Sequence, residues 1–454
     1  MPDILFHYER VNPTSWAYLS SLLTLALFFK FNRVLSVRNV DLLLLISLAP
    51  GLLLVQWAWE NMGIADNALT IKHLGFLWLL AVELILLIRM LADNAMVRRP
   101  LLEPNLNASG LLFLGSSLLF FLMANVVTGD PKAEDLRPAR QTSEVRVDEP
   151  DGADHDSFAT DGPGFFFLYR LPRISTQTVI GAEPRAGALG SERSERQERI
   201  IQEATTRVMA ILSHVMIVVG IVVIGHVHFE NISMGIAAAT MYLLLPYTAL
   251  WTGSVEHALP GSLLVWSIVL YRRPFLSGMM IGLASGTVYY PAFLIPLWCS
   301  YYWARGLKRF VAGILLMVGV LVLTLAYTAT DSQRFLANLM QMFGLRLPTA
   351  ANLQGIWQFW NPVFRYPVLA AFVALAFSFT VLPVQKHLGT LICCSGAIMA
   401  ATQFWNAYDG GVFIGWFLPM MLLMIFRPNL EDHLAITKVS EGWWLARRRR
   451  MAGG

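Results

Sequence analysis

Long apolar runs, separated by short polar or Gly/Pro-containing stretches, recur along nearly the whole chain. About 20 apolar residues cross the roughly 30 Å hydrocarbon core of a bilayer as a helix. Runs near that length lie at 15–31, 39–58, 72–92, 109–128, 204–226, 231–251, 258–271, 275–288, 289–303, 310–329, 367–384, 388–404 and 410–427. The pattern predicts an all-α, polytopic transmembrane protein of about 12–13 helices. The run 275–303 is divided in two for a reason of charge. Arg272 and Arg273 precede it, Arg305, Lys308 and Arg309 follow it, and a single crossing would put two basic loops on opposite faces, against the positive-inside rule.

The same rule orients the chain. Lys30, Arg33 and Arg38, then Arg98 and Arg99, then the two basic groups just named and the tail ARRRR at 446–450 mark cytoplasmic loops. The N-terminus and the loops at 59–71, 129–203, 252–257, 330–366 and 405–409 are then expected outside. Four regions result: helices in 1–128, a polar, partly flexible extracytoplasmic insertion at 129–203, helices in 204–430, and a basic cytoplasmic tail at 431–454. Within the insertion, 130–199 holds 24 of the 64 Asp, Glu, Lys and Arg residues. Its first part, 130–161, is acidic, Gly/Pro/Asp-rich and without period, and reads as a flexible loop. The patch FFFLY at 165–169 is too short to span and is expected at the interface or over an opening between helices. SERSERQERI at 191–200 reads as a solvated lead-in to the next helix.

Composition agrees with the pattern. Of 454 residues, 56% are hydrophobic and 14% charged, where soluble domains carry about 25% charged residues. A net charge of +4 offers no footprint for nucleic acid. Cys299, Cys393 and Cys394 sit in apolar context without metal or disulfide spacing. The N-terminal residues lack a signal-peptide pattern, so insertion is expected to rely on retained helices. The expected location is an integral, multi-pass protein of the cell (inner or plasma) membrane, with membrane lipids as neighbours. No nucleotide, dinucleotide, zinc-protease, EF-hand or hydrolase motif occurs.

Several polar positions carry two readings. His226, His228 and Glu230 would share one face of an extended segment as metal ligands, but diverge in a helix, where they are a polar boundary. Glu256 and His257, in a short loop, pair a carboxylate with an imidazole and could serve as a base or hold a hydroxyl-rich ligand; the plain alternative is a capped loop. Glu60, Asp66, Asp331 and Asp409 are acids of outward loops. Trp57, Trp59, Trp357 and Trp360 fit an interfacial aromatic belt, although aromatics also stack on sugars. Glu83 lies inside an apolar run, where a carboxylate is either functional or paired with another helix. Arg89 and Asp93, one turn apart, fit a local ion pair.

The stretch 246–298 combines Pro246, a short polar loop, Arg272-Arg273-Pro274, a helix through Gly278, Gly282 and Gly286, and Tyr290-Pro291 before an apolar run. It resembles the polyprenol-phosphate-dependent integral-membrane glycosyltransferases of the GT-C superfamily, in particular their bacterial mannosyltransferase-like branch. The resemblance implies transfer of a sugar from a polyprenyl-phosphate donor to a lipid or glycan acceptor at the outer face. It also implies an acid of an early outward loop as base or metal partner, for which Glu60 and Asp66 are the nearest candidates; Glu256 could equally take the acceptor proton, and His257 is the second-line choice. Arg365, Trp360 and Tyr290 are candidate ligand-binding residues, and a divalent ion is the one cofactor such chemistry would admit. Two other classes compete. A transporter or flippase predicts broken helices and a midplane site near Glu83, and a structural subunit of a membrane complex predicts an apolar flank covered by a partner.

Overall fold

The computed structural model describes residues 12–96, 103–129, 131, 135–137, 139–140, 162–180, 190–329, 332–342 and 353–439. The loop 141–161, Arg98, Arg99, Asp331 and the 446–450 tail lie outside the described residues.

Helices follow the apolar runs in chain order: α1 (Pro13–Phe28), α2 (Val37–Ile46), α3 (Leu48–Glu60), α4 (Ala68–Asp93) and α5 (Ala108–Thr128). From the insertion come α6 (Pro163–Ile180) and α7 (Gly190–Val227). Then come α8 (Ile232–Leu244), α9 (Pro246–Leu250), α10 (Val255–Val269), α11 (Pro274–Thr287), α12 (Ile295–Tyr302), α13 (Leu307–Thr328) and α14 (Ser332–Met342). The last are α15 (Arg365–Val381), α16 (Leu388–Thr402), α17 (Leu418–Phe426) and the short α18 (Ala435–Lys438). Their starts obey local chemistry. Asn12, Ser36, Asn107 and Asn231 accept hydrogen bonds from the first free N–H groups of α1, α2, α5 and α8. Proline at the first turn opens α1, α9, α11, α12 and α17.

Among the described residues, six helical segments are long and apolar enough to cross a membrane: Val37–Glu60, Ala68–Asp93, Ala108–Thr128, Arg196–Val227, Leu307–Tyr327 and Pro362–Val381. Only 22% of the apolar window of Ala108–Thr128 is buried within the protein. Leu112, Phe113, Phe120, Leu315, Leu323, Phe377 and Val381 all point outward. Side chains this apolar face outward only toward lipid, so the chain is an integral, multi-pass membrane protein.

The expected thirteen spans are therefore not thirteen full-length helices. Apolarity alone does not separate a helix exposed to lipid from one enclosed by other helices. The run 231–251 breaks at Leu245–Pro246, and 410–427 is α-helical only from Leu418, after a 3-10 turn at Ile414–Trp416. The division of 275–303 is present: α11 ends at Thr287, a 3-10 turn covers Tyr290–Leu294, and α12 follows. In the insertion, FFFLY forms the start of a helix. Phe165 and Tyr169 are buried, the Gly162 N–H donates to the Thr287 carbonyl (2.8 Å), and the Arg170 guanidinium lies over Phe166 and Tyr327. This patch caps the ends of α11 and α13. The charged lead-in at 191–200 is the first part of α7, and Arg173 on α6 pairs with Glu198 (2.8 Å).

The basic connections gather at one end of the bundle. Arg89 grips Asp41 with two bonds (2.8 and 3.0 Å) and Asp93 with a third (3.3 Å), and Arg427 pairs with Asp93 from the other side. The expected Arg89–Asp93 pair is thus part of a four-residue chain joining α2, α4 and the end of α17. At the same end the Tyr271 hydroxyl meets His433 Nδ1 (2.9 Å), Tyr302 donates to the Tyr271 carbonyl (2.6 Å), and Arg305 donates to the Ile436 carbonyl (2.8 Å).

Burial lowers the pKa of two histidines of this end, His228 and His433. His228, edge-on to Tyr271 and bonded to the Val269 carbonyl, is pushed down to about 4. His433 is also lowered, by desolvation first, partly countered by Asp432. A histidine lowered on folding contributes stability above its unfolded value, which is lost as pH falls toward the folded value. The protein should therefore lose thermal stability between about pH 6.5 and pH 4. His228→Gln should flatten that slope in a pH series of melting curves; an unchanged slope in H228Q would count against this origin.

Candidate functional site

The short helices create the site. α8, α10, α11, α12, α16 and α17 have 13, 15, 14, 8, 15 and 9 residues, which is about 12–22 Å of rise against a roughly 30 Å hydrocarbon core. All are anchored at the basic end. His228, just before α8, bonds to the last residue of α10, Tyr302 ties α12 to the α10–α11 turn, the Leu388 N–H donates to the His433 carbonyl, and Arg427 closes α17. Their other ends stop partway through the bundle, at the breaks 245–254, 288–294 and 403–417. The full-length helices stand around them. Backbone this irregular persists at membrane depth only inside protein or beside a water-filled recess.

The three breaks meet through aromatic side chains. His257 stacks between Trp251 (4.2 Å) and Phe413 (4.7 Å), which stacks on Trp416 (4.5 Å). Trp416 contacts Tyr290 (5.3 Å), and Tyr290 contacts Trp405 (5.2 Å) and Tyr289 (4.2 Å). The Trp416 indole N–H donates to the Glu256 carbonyl (2.9 Å), and the Tyr247 hydroxyl meets His257 Nδ1 (2.8 Å). Trp59 of α3 extends the row by an edge contact to Trp251 (5.6 Å). Trp405, Trp416, Tyr290 and His257 are buried, so an interfacial belt does not account for them. Trp251, Glu256, Tyr289, Tyr408, Asp409 and Phe413 are only half-buried, and Gly253 is exposed. These residues form a floor, polar and aromatic, at the level where the short helices end.

Arg365 lies beside it. Although at the first turn of α15, it is buried; its Nε donates to the Trp405 carbonyl (2.8 Å), and its guanidinium is 6.0 Å from the Trp405 ring. Tyr289 and Tyr290 lie within its field. The Trp405 indole N–H is buried with no acceptor among the described residues. Asp409 takes a left-handed backbone conformation (φ 48°), which Asp tolerates better than most residues. Gly355 packs against it, and Gln354 N–H donates to the Ala407 carbonyl (2.8 Å), so residues 353–359 cover one side of the floor.

Of the candidates read from sequence, the fold brings Glu256, His257, Tyr290 and Arg365 together. Glu60 and Asp66 are exposed at the α3–α4 turn, Glu60 accepting a bond from Gln56 (2.9 Å). Trp360 is 43% exposed and edge-on to buried Trp357 (6.2 Å). His226 and Glu230 are exposed while His228 is buried, and among the described residues no group of three His, Cys, Asp or Glu side chains is gathered to hold a metal ion. Glu83 is fully buried, with no hydrogen-bond partner for either oxygen among the described residues. Sequence reasoning missed Tyr289, Trp405, Phe413 and Trp416. Their only signal was an excess of aromatics at the expected ends of apolar runs.

Comparison with known proteins adds no relative: no family model, curated protein or solved structure matches the chain.

Proposed function

We propose that this chain is a GT-C-like sugar transferase, using a lipid-phosphate-linked sugar at the floor where the helix breaks meet, on the side away from the basic loops. The observation that carries this reading is a buried guanidinium, Arg365, beside half-buried Glu256, Tyr289, Trp251 and Phe413 at the blind ends of short helices. Such a floor, set below the bundle's outer edge, suits a donor whose phosphate sits at the membrane boundary while its tail remains in lipid. Aromatic faces suit a pyranose ring, and the Arg365 and Trp405 donors suit phosphate or hydroxyl oxygens.

In the step proposed, Glu256 takes the proton of the acceptor hydroxyl. The acceptor oxygen forms the new bond to the anomeric carbon, and the anomeric carbon–oxygen bond to phosphate breaks, with the electron pair leaving on the lipid phosphate. Arg365 offsets the charge that develops there. His257, fixed between two rings and bonded to Tyr247, positions the start of α10 and with it Glu256. Glu60 and Asp66, the acids favoured by the resemblance, stand as the alternative base in the same assay.

The test is transfer from labelled polyprenyl-phosphate sugars in proteoliposomes. Wild-type chain should transfer, and Glu256→Gln should lower kcat by about a hundredfold with melting unchanged within a few degrees. No transfer by the wild type from mannosyl, glucosyl or arabinosyl donors would overturn the reading; loss in E60Q or D66N with full activity in E256Q would move the base to the α3–α4 turn. A second reading, transport across the bilayer, is favoured by one observation, the buried Glu83 near the middle of α4, which has no hydrogen-bond partner among the described residues.

A further inference from the structure

The connection between α1 and α2 is held in shape by one side chain. Asn39, fully buried in the first turn of α2, accepts from the Lys30 N–H (3.0 Å), and its amide donates to the carbonyls of Lys30 (3.0 Å), Arg33 (3.1 Å) and Val34 (3.1 Å). A 3-10 turn at Phe31–Arg33 and the Ser36 cap of α2 complete the connection. This backbone turns three apolar side chains away from the protein: Phe31 is 73% exposed, Val34 56% and Leu35 96%.

The surroundings of this tip say what covers it. Val37, Val40 and Leu43 on α2 are exposed too, at a spacing that keeps them on one side of the helix. They carry the apolar surface of the tip onto the lipid-facing side of the span Val37–Glu60. That span rises about 36 Å against a hydrocarbon core of roughly 30 Å, so Val37 stands at the cytoplasmic boundary when Glu60 stands at the outer one. From 29 to 40 the chain holds no acid. Arg33 is exposed at the tip, and no acidic side chain pairs with it among the described residues. Lys30 Nζ donates to the neutral Asn105 amide (3.0 Å), and Arg38 interacts with the exposed Glu103 of the α4–α5 connection. An apolar tip among basic side chains matches the inner face of a bilayer, which offers acyl chains next to anionic headgroups.

We propose that the α1–α2 connection is a leaflet anchor: Phe31, Val34 and Leu35 enter the acyl edge of the cytoplasmic leaflet, and Arg33 holds the phosphate of an anionic phospholipid. A guanidinium bonds two phosphate oxygens at once, and the Asn39 bonds present it on a fixed backbone. Trp303 between α12 and α13 and Val384 between α15 and α16 are also exposed at the basic end, and a bilayer covers them together with the tip. The anchor does not depend on the transferase reading, and the two fail separately.

The test uses the purified full chain in vesicles of phosphatidylcholine and phosphatidylglycerol in equal amounts, with an environment-sensitive fluorophore at Leu35→Cys and, separately, at Val34→Cys. Label taken up by the wild type through half-buried Cys299 gives the background. Lipids brominated in the acyl chains should quench both labels several-fold more strongly than a label at Glu431→Cys, which is exposed at the same end. Bromine carried by phosphatidylglycerol alone should quench about fivefold more than bromine carried by phosphatidylcholine alone, the effect of one basic side chain at a charged surface. Arg33→Gln should abolish that difference. Quenching at 34 and 35 no stronger than at 431 would overturn the anchor and leave the tip to a cytosolic protein. Equal quenching by the two brominated lipids with Arg33 in place, or an unchanged preference in R33Q, would overturn the headgroup assignment.

Discussion

Replacing Arg427 by alanine should destabilise the protein by about 3–5 kcal/mol, the largest single effect expected at the basic end. The guanidinium is fully buried and pairs with Asp93, itself 2% exposed. Without it, Asp93 loses a buried ion-pair partner, and the two carboxylates Asp41 and Asp93 keep one of the two guanidiniums that bond to them. The cause is separable from packing. In the double variant Arg427→Met/Asp93→Leu, Arg89 keeps its two-bond contact with Asp41, and the charges again match. Most of the loss should then return, to within about 1–2 kcal/mol of wild type, because replacing a buried ion pair with apolar groups is close to neutral. Unfolding followed by helical circular dichroism in mixed micelles would measure both. A double variant less stable than either single change would show that the pair matters for something other than charge matching.

The second large effect is steric. α11 and α13 approach so closely that a Cβ at Gly278 would fall on the Phe310 carbonyl oxygen, and one at Gly313 on the Phe275 carbonyl oxygen. Both obstacles are backbone, so no side chain can turn aside. Gly278→Val should cost about 3 kcal/mol or more by forcing the helices apart, and Gly313→Val should do the same. Gly319 lies on α13 with open space around its Cβ position; Gly319→Val should stay within about 1 kcal/mol. Equal losses at 278 and 319 in the same unfolding assay would refute close packing as the reason for glycine here. The consequence reaches the site, because α11 ends at Thr287 and sets where Tyr289 and Tyr290 stand against Trp405.

Both effects bear on how the floor is held. Short helices pinned at one end by ion pairs, tyrosine–carbonyl bonds and backbone contacts can stop at mid-depth without fraying, since each break is covered by aromatic rings from another. His257 shows the arrangement on a small scale: two stacked rings and one hydroxyl fix it, and its neighbour Glu256 is left half-exposed at the start of α10.

By itself, the sequence determined the solvent. Apolar runs with few charges cannot fold as a water-soluble surface, so a helical membrane protein follows from pattern and composition. The sequence also located one break from charge parity, inside 275–303, and it picked out Glu256, His257, Tyr290 and Arg365, with Glu60 and Asp66, as residues to watch. It could not tell a spanning helix from a half-length one, because burial against other helices and exposure to lipid ask for the same apolar side chains. Nor could it rank Glu60 and Asp66 against Glu256, since all three lie in loops expected on one face and differ only in depth. The structure alone decided that three breaks far apart in the chain meet at one level, that Arg89 and Arg427 pair with Asp41 and Asp93, and that Glu83 is buried beside Gly411. Those are long-range contacts, fixed by how helices pack and not by any local periodicity.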